Sequence, residues 1–202
     1  MRNLSTILKK AKFGELTDEE FAYVVQKIKE SRPGCDEDLC SLLNVLGSAG
    51  AVHRKYQLRK LVEGFLYYPT FPMVSGAALD VLCNDWDYAQ DYLGLLKSFI
   101  KGVEWDPDGD VRIIAISSAG EFLRHNSEKE LLQLLVDILE KESDAENDLY
   151  PGCAREEETL EKECAYEALA RSAGQEWKDL LRDEKPNWPI LEKIYQRLKT
   201  IG

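Results

Sequence analysis

Asp106-Pro-Asp-Gly-Asp-Val-Arg-Ile-Ile-Ala-Ile-Ser-Ser-Ala-Gly120 is the stretch on which the reading of the fold turns. It begins as an acidic turn, Asp106 to Asp110, and carboxylates there suit the positive end of a following helix. Val111 and Arg112 enter that helix. Ala115 and Ala119 then stand four residues apart, one helical turn, where small side chains let a neighbouring helix approach closely.

Helical periodicity extends outward from this segment in both directions. In 128–141, Leu131, Leu132, Leu134, Leu135, Ile138 and Leu139 fall on one face, and Lys129, Glu130, Gln133, Asp137 and Glu140 on the other. That is the pattern of a helix packed on one side only. The segments 88–101 and 18–30 repeat it, and no segment alternates as a strand does. The expected helices are 4–12, 18–31, 37–48, 53–67, 73–84, 88–101, 108–124, 128–142, 156–172, 175–183 and 188–200.

Helix punctuation supports these boundaries. Thr17-Asp-Glu-Glu20 reads as a capping box, in which hydroxyl and carboxylate each take an orphan backbone N–H. Asp87 and Ser127 are expected N-caps. Gly14, Gly102 and Gly174 stand where a left-handed residue ends a helix. Gly47-Ser-Ala-Gly50 lacks the Lys-Ser/Thr of a phosphate loop and fits a helix–helix turn.

The helices pair at a regular period. Leu46-Gly47, Leu82-Cys83, Ala119-Gly120 and Leu169-Ala170 hold equivalent places at spacings of 36, 37 and 50 residues. Two helices per unit of this length is the signature of an α-solenoid, and an insertion accounts for the long last spacing. The 106–120 unit, with its acidic turn, Val111-Arg112 and the alanines at 115 and 119, resembles the first helix of a HEAT-like repeat. The other units keep less of the pattern: Ala78 and Leu82 in one, Ala165 and Leu169 in another, and only the period around Leu42 and Leu46. The resemblance implies an all-α fold, an α-α superhelix of about four helix pairs preceded by N-terminal helices, forming one domain over 1–202. A compact helical bundle would satisfy the same amphipathic pattern.

Charge narrows the function. The net charge is −11, the opposite of what a nucleic-acid backbone requires, so nucleic acid and anionic membrane are excluded as partners and a basic protein is favoured. No apolar run approaches the roughly 20 residues of a membrane span, and the basic N-terminus lacks an apolar block, so a cytoplasmic location is expected. Between 137 and 163 stand eleven acidic residues against Lys141, Arg155 and Lys162, a local charge of −8. The repeat spacing lengthens in the same place, so 143–163 reads as an acidic insertion, and enlarged loops on repeat scaffolds commonly bind. The expected partner contacts are Asp137, Glu140, Asp144, Glu146, Asp148, Glu156, Glu157 and Glu158, with Tyr150 and Trp86 as aromatic anchors.

Catalytic and metal chemistry find no pattern. Counted from Asp106, a calcium loop would need glycine at position six and glutamate at twelve, which here are Val111 and Ser117. Cys35, Cys40, Cys83, Cys153 and Cys164 include no C-x-x-C pair, so no zinc site and no cofactor is expected. His53 and His125 have no nucleophile arranged around them. HEAT-like DNA glycosylases are similar in repeat pattern alone, because their groove is basic and this chain is acidic. The expectation is therefore a non-catalytic binding module, monomeric when free, that neutralises a basic protein. Its size and charge also resemble bacterial toxin-immunity proteins, which implies a nuclease-type toxin as the partner. An assembly scaffold, and less readily an enzyme of the HEAT-like class, are the alternatives.

Overall fold

The computed structural model describes residues 4–31, 36–50, 55–140, 153–172, 181–182, 185–186 and 196. The fold is all-α, and the chain divides into two compact units, Met1–Tyr92 and Leu93–Gly202. One short exception is an antiparallel pairing of Leu181–Arg182 with Lys185–Pro186, which replaces the end of the helix expected over 175–183. Leu181 pairs with Pro186 and Arg182 with Lys185.

The first unit holds α1 (Leu4–Lys12), α2 (Asp18–Glu30), α3 (Asp36–Gly50), α4 (Lys55–Glu63) and α5 (Pro72–Asp80). The Thr17 capping box forms as read: the Glu20 N–H donates to Thr17 Oγ1, and the Thr17 N–H donates to Glu20 Oε2. Lys10 reaches the same carboxylate at 2.6 Å, so hydrogen bonds from Lys10 and the Thr17 backbone hold Glu20 at about 2. Gly14 takes the left-handed conformation after α1. The central helix is α3, which packs on α1, α2 and α5. It buries Leu39, Leu42, Leu43, Val45, Leu46 and Ala49, a wider face than an outer helix buries, because it has neighbours on several sides. It also runs through Gly47-Ser-Ala-Gly50, which is helix and not the turn expected there.

The helix expected over 73–84 does not stay α-helical. After α5 the winding loosens to a π turn, Val81–Asp85, closed by the Trp86 N–H on Val81 O at 3.0 Å. The π turn lays Asp85 across α3. A Cβ at Gly47 would lie 1.9 Å from Asp85 Oδ2 and 2.8 Å from Val81 Cγ2, so only glycine fits. Asp87 follows with φ 60°, in place of the extended backbone of the N-cap expected there. A 3-10 turn at Ala89–Tyr92 completes the unit.

The second unit contains α6 (Leu93–Lys101), α7 (Asp110–His125), α8 (Lys129–Glu140) and α9 (Cys153–Ser172). Helix α7 is its centre, packed on α6, α8 and most extensively on α9. The acidic turn does what its composition suggests, through one residue: Asp106 Oδ2 accepts the N–H groups of Val111 at 3.0 Å and Arg112 at 3.2 Å. Close approach occurs at Gly120, next to the expected Ala119, since a Cβ there would lie 2.5 Å from Ala168 Cα. Helix α8 is capped by Glu128 and not by Ser127. Glu128 Oε2 accepts the Leu131 N–H at 2.7 Å, because the longer side chain curls back over the first turn.

Two stability measurements follow from these contacts. Gly120→Val must push α9 off α7 and should cost about 1–3 kcal/mol in urea unfolding, whereas Gly94→Ala, with open space around its Cβ, should stabilise by about 0.5–1 kcal/mol. Burial, then the Asp80 carboxylate, push Asp85 from 3.8 up to about 6, although the residue keeps a solvent-facing side. A raised acid favours the fold while protonated, so its contribution is lost as pH rises from about 4 through about 6. Asp85→Asn should therefore raise Tm at pH 7 and leave it unchanged near pH 3.5, as thermal melts at both pH values would record.

Candidate functional site

The expected partner contacts scatter in their fates. Trp86 is a correction: it is 1% exposed, its indole N–H donates to Gly47 O at 3.3 Å, and it offers a partner no surface. An aromatic beside a helix end reads as an anchor in sequence, but here the π turn swings it inward. Asp137 is exposed on α8 and accepts Gln133 Nε2 at 2.8 Å. Glu140 ends α8, and Glu156, Glu157 and Glu158 belong to α9; their side chains lie outside the described residues. Asp144, Glu146, Asp148 and Tyr150 lie wholly outside them. Of the insertion expected at 143–163, residues 153–163 are the first half of α9.

Within the second unit many carboxylates are already neutralised. Lys97 pairs with Glu128 at 3.2 Å and Glu130 at 2.7 Å, and Lys101 reaches Glu130 at 3.3 Å. Arg112 donates through Nε to Ile100 O at 2.8 Å and through Nη1 to Glu161 at 2.7 Å, tying α6, α7 and α9 at one point. Arg171 donates to Ser117 Oγ at 3.2 Å near the C-terminal end of α9. With Gly120 against Ala168 between these ties, α9 has a fixed rotation. It buries Ala165, Ala168 and Leu169 and exposes Leu160, Glu163 and Glu167.

Residues 160, 163 and 167 follow the i, i+3, i+7 spacing of one helical stripe. Leu160 is 45% exposed, an apolar side chain that precedes the two glutamates on the stripe. Among the described residues neither Glu163 nor Glu167 has an ion pair. The charge of the chain is concentrated in the same unit. The first unit carries eleven Lys and Arg against thirteen Asp and Glu, net −2, and the second fifteen against twenty-four, net −9. Sequence reading found the acidic segment and missed Leu160, whose exposure depends on which face α9 gives to α7.

A second polar constellation, in the first unit, was not legible in advance beyond one i, i+4 pair. Arg59 on α4 donates through Nε to Glu63 at 2.8 Å and to the Tyr92 hydroxyl at 3.0 Å, and through Nη1 to Asp91 at 2.6 Å. The Tyr92 O–H donates to Glu63 at 2.6 Å. The guanidinium carbon lies 4.6 Å from the Tyr88 ring centroid and 5.2 Å from that of Tyr92. The Tyr92 hydroxyl and then Arg59 hold Glu63 below the usual carboxylate range, and burial with Glu63 pushes Tyr92 up to about 12.

Among the described residues no group of three or more His, Cys, Asp or Glu could hold a metal, and no helix is long and apolar enough to cross a membrane. Among the described residues Cys83 and Cys164 are free thiols, and burial pushes Cys83 up to about 12, away from nucleophilic use. Compared with family models, curated proteins and solved structures, the chain matches none.

The Tyr92 hydroxyl can be tested directly. Tyr92→Phe removes two hydrogen bonds, one to a carboxylate, and should lower unfolding free energy by about 1–2 kcal/mol in denaturant titrations. Carboxyl NMR titration should show Glu63 moving up toward its ordinary value in the same variant.

Proposed function

We propose that this protein is a non-catalytic binding module whose acidic second unit engages a basic protein. The exposed stripe of α9 carries the reading: Leu160 leads into Glu163 and Glu167 along it, in a unit of net charge −9. Exposed carboxylates steer a basic partner and set its register, while the leucine supplies apolar contact that charge alone lacks. Asp137 adds an exposed carboxylate on α8. The sharpest form of the reading is an immunity protein that covers a basic nuclease-type toxin domain, where an acidic surface stands in for the phosphates the toxin binds.

We also read the helices as stacked pairs of a HEAT-like solenoid. Within the first unit α3 packs on both α1 and α5, and within the second α7 packs on α9 and α6 on α8. Contact between every second helix is what a stack of helix pairs requires. On this reading the protein is a monomer when free, and partner binding, not self-assembly, covers its exposed stripe.

The test is affinity capture by the full chain from its native extract, washed at low and then high salt. The expected result is one stoichiometric basic protein, retained at low salt and released at high salt. Titration of that purified partner should then show Glu163→Lys with Glu167→Lys weakening affinity about tenfold or more, as close charge pairs do. Salt-insensitive capture, or affinity unchanged by the double reversal, would sink the acidic-surface reading.

A further inference from the structure

The constellation around Arg59 has the makings of a ligand site that already holds its ligand. A guanidinium is flat, carries donors around its edge in a fixed fork, and stacks on aromatic faces. Each of those properties is matched by a separate residue of the first unit. Tyr88 and Tyr92 present ring faces at 4.6 and 5.2 Å, within cation–π range. Glu63 and the Tyr92 oxygen take the Nε edge, and Asp91 takes the Nη1 end. Two of the acceptors are also linked to each other, since the Tyr92 O–H donates to Glu63 at 2.6 Å.

Two carboxylates meet one cation here, and the Tyr88 and Tyr92 rings complete a cage of the kind that recognises organic cations. The cluster also opens to the surface. The side chains of Arg59, Glu63 and Asp91 are 29%, 34% and 50% exposed. From this geometry we propose that Glu63, Tyr88, Asp91 and Tyr92 form a site for an alkylguanidinium, such as an arginine side chain, which the chain closes with its own Arg59. An ammonium cannot replace it. A point charge cannot meet the Nε edge and the Nη1 end together.

The experiment is chemical rescue in the full-length chain. Arg59→Ala should melt at a lower temperature than the native chain. Millimolar methylguanidinium should restore at least half of that loss along a saturating curve, and should leave the native chain, whose site is filled, unmoved. Methylammonium at the same concentrations should restore nothing. Adding Glu63→Gln to Arg59→Ala should weaken the apparent affinity for methylguanidinium about tenfold, the worth of one hydrogen bond to a charged group. Should Arg59→Ala not fold alone, Arg59→Gln carries the same titration, and refolding promoted by methylguanidinium but not methylammonium reads out the same specificity. Absence of saturable rescue in both variants, or equal rescue by methylammonium, overturns the assignment.

Discussion

The backbone contact between Gly120 and Ala168 governs the second unit. Two helices that touch this closely lock in rotation as well as in distance, because a turn of either one drives a side chain into the other's backbone. Helix α9 therefore has a single allowed inward face. What remains outward, Leu160 with Glu163 and Glu167, is a consequence of that lock. The Arg112–Glu161 and Arg171–Ser117 ties then hold α9 at its middle and near its C-terminal end, so the stripe is presented on a fixed element. Rigid presentation lowers the ordering cost that a partner would otherwise have to offset.

Polar groups in both units serve to join elements distant in sequence. Arg112 draws on a backbone carbonyl from α6 and a carboxylate from α9. Arg59 joins α4 to a turn some thirty residues later. In each case arginine is used where several acceptors must be met in one plane, which its fork allows and a lysine does not. Lysine appears instead where a single charge answers a pair of carboxylates, as Lys97 does between Glu128 and Glu130.

How far the fold was legible depends on whether a feature is local. The Thr17–Glu20 capping box, the left-handed Gly14 and Gly102, and the amphipathic stripe of α8 are settled by neighbours within a turn, and they stand where the sequence places them. The small residues of the 106–120 segment announced a close approach but not its partner residue. Features decided by distant contacts escaped. The π turn at 81–85 exists because Asp85 and Trp86 meet Gly47, and nothing in 73–84 signals that. Ser127 is the better intrinsic cap, yet Glu128 takes the place once Lys97 stands beside it. Of the site, the acidic segment was readable from composition, whereas the exposure of Leu160 and the burial of Trp86 were not, since both depend on which way a helix end is turned by its tertiary neighbours.

Burial of Trp86 has an optical consequence. Its indole is almost wholly screened from water, held by one hydrogen bond to a helix carbonyl, and followed at once by a backbone bend. Such a ring emits at short wavelength and rotates only with its surroundings. Trp105 is in a different setting, half-buried and edge-on to Phe99 at 5.7 Å. Trp86 is the one tryptophan of the first unit, whereas Trp105 shares the second with Trp177 and Trp188, so short-wavelength emission lost on unfolding reports on the first unit with no label attached.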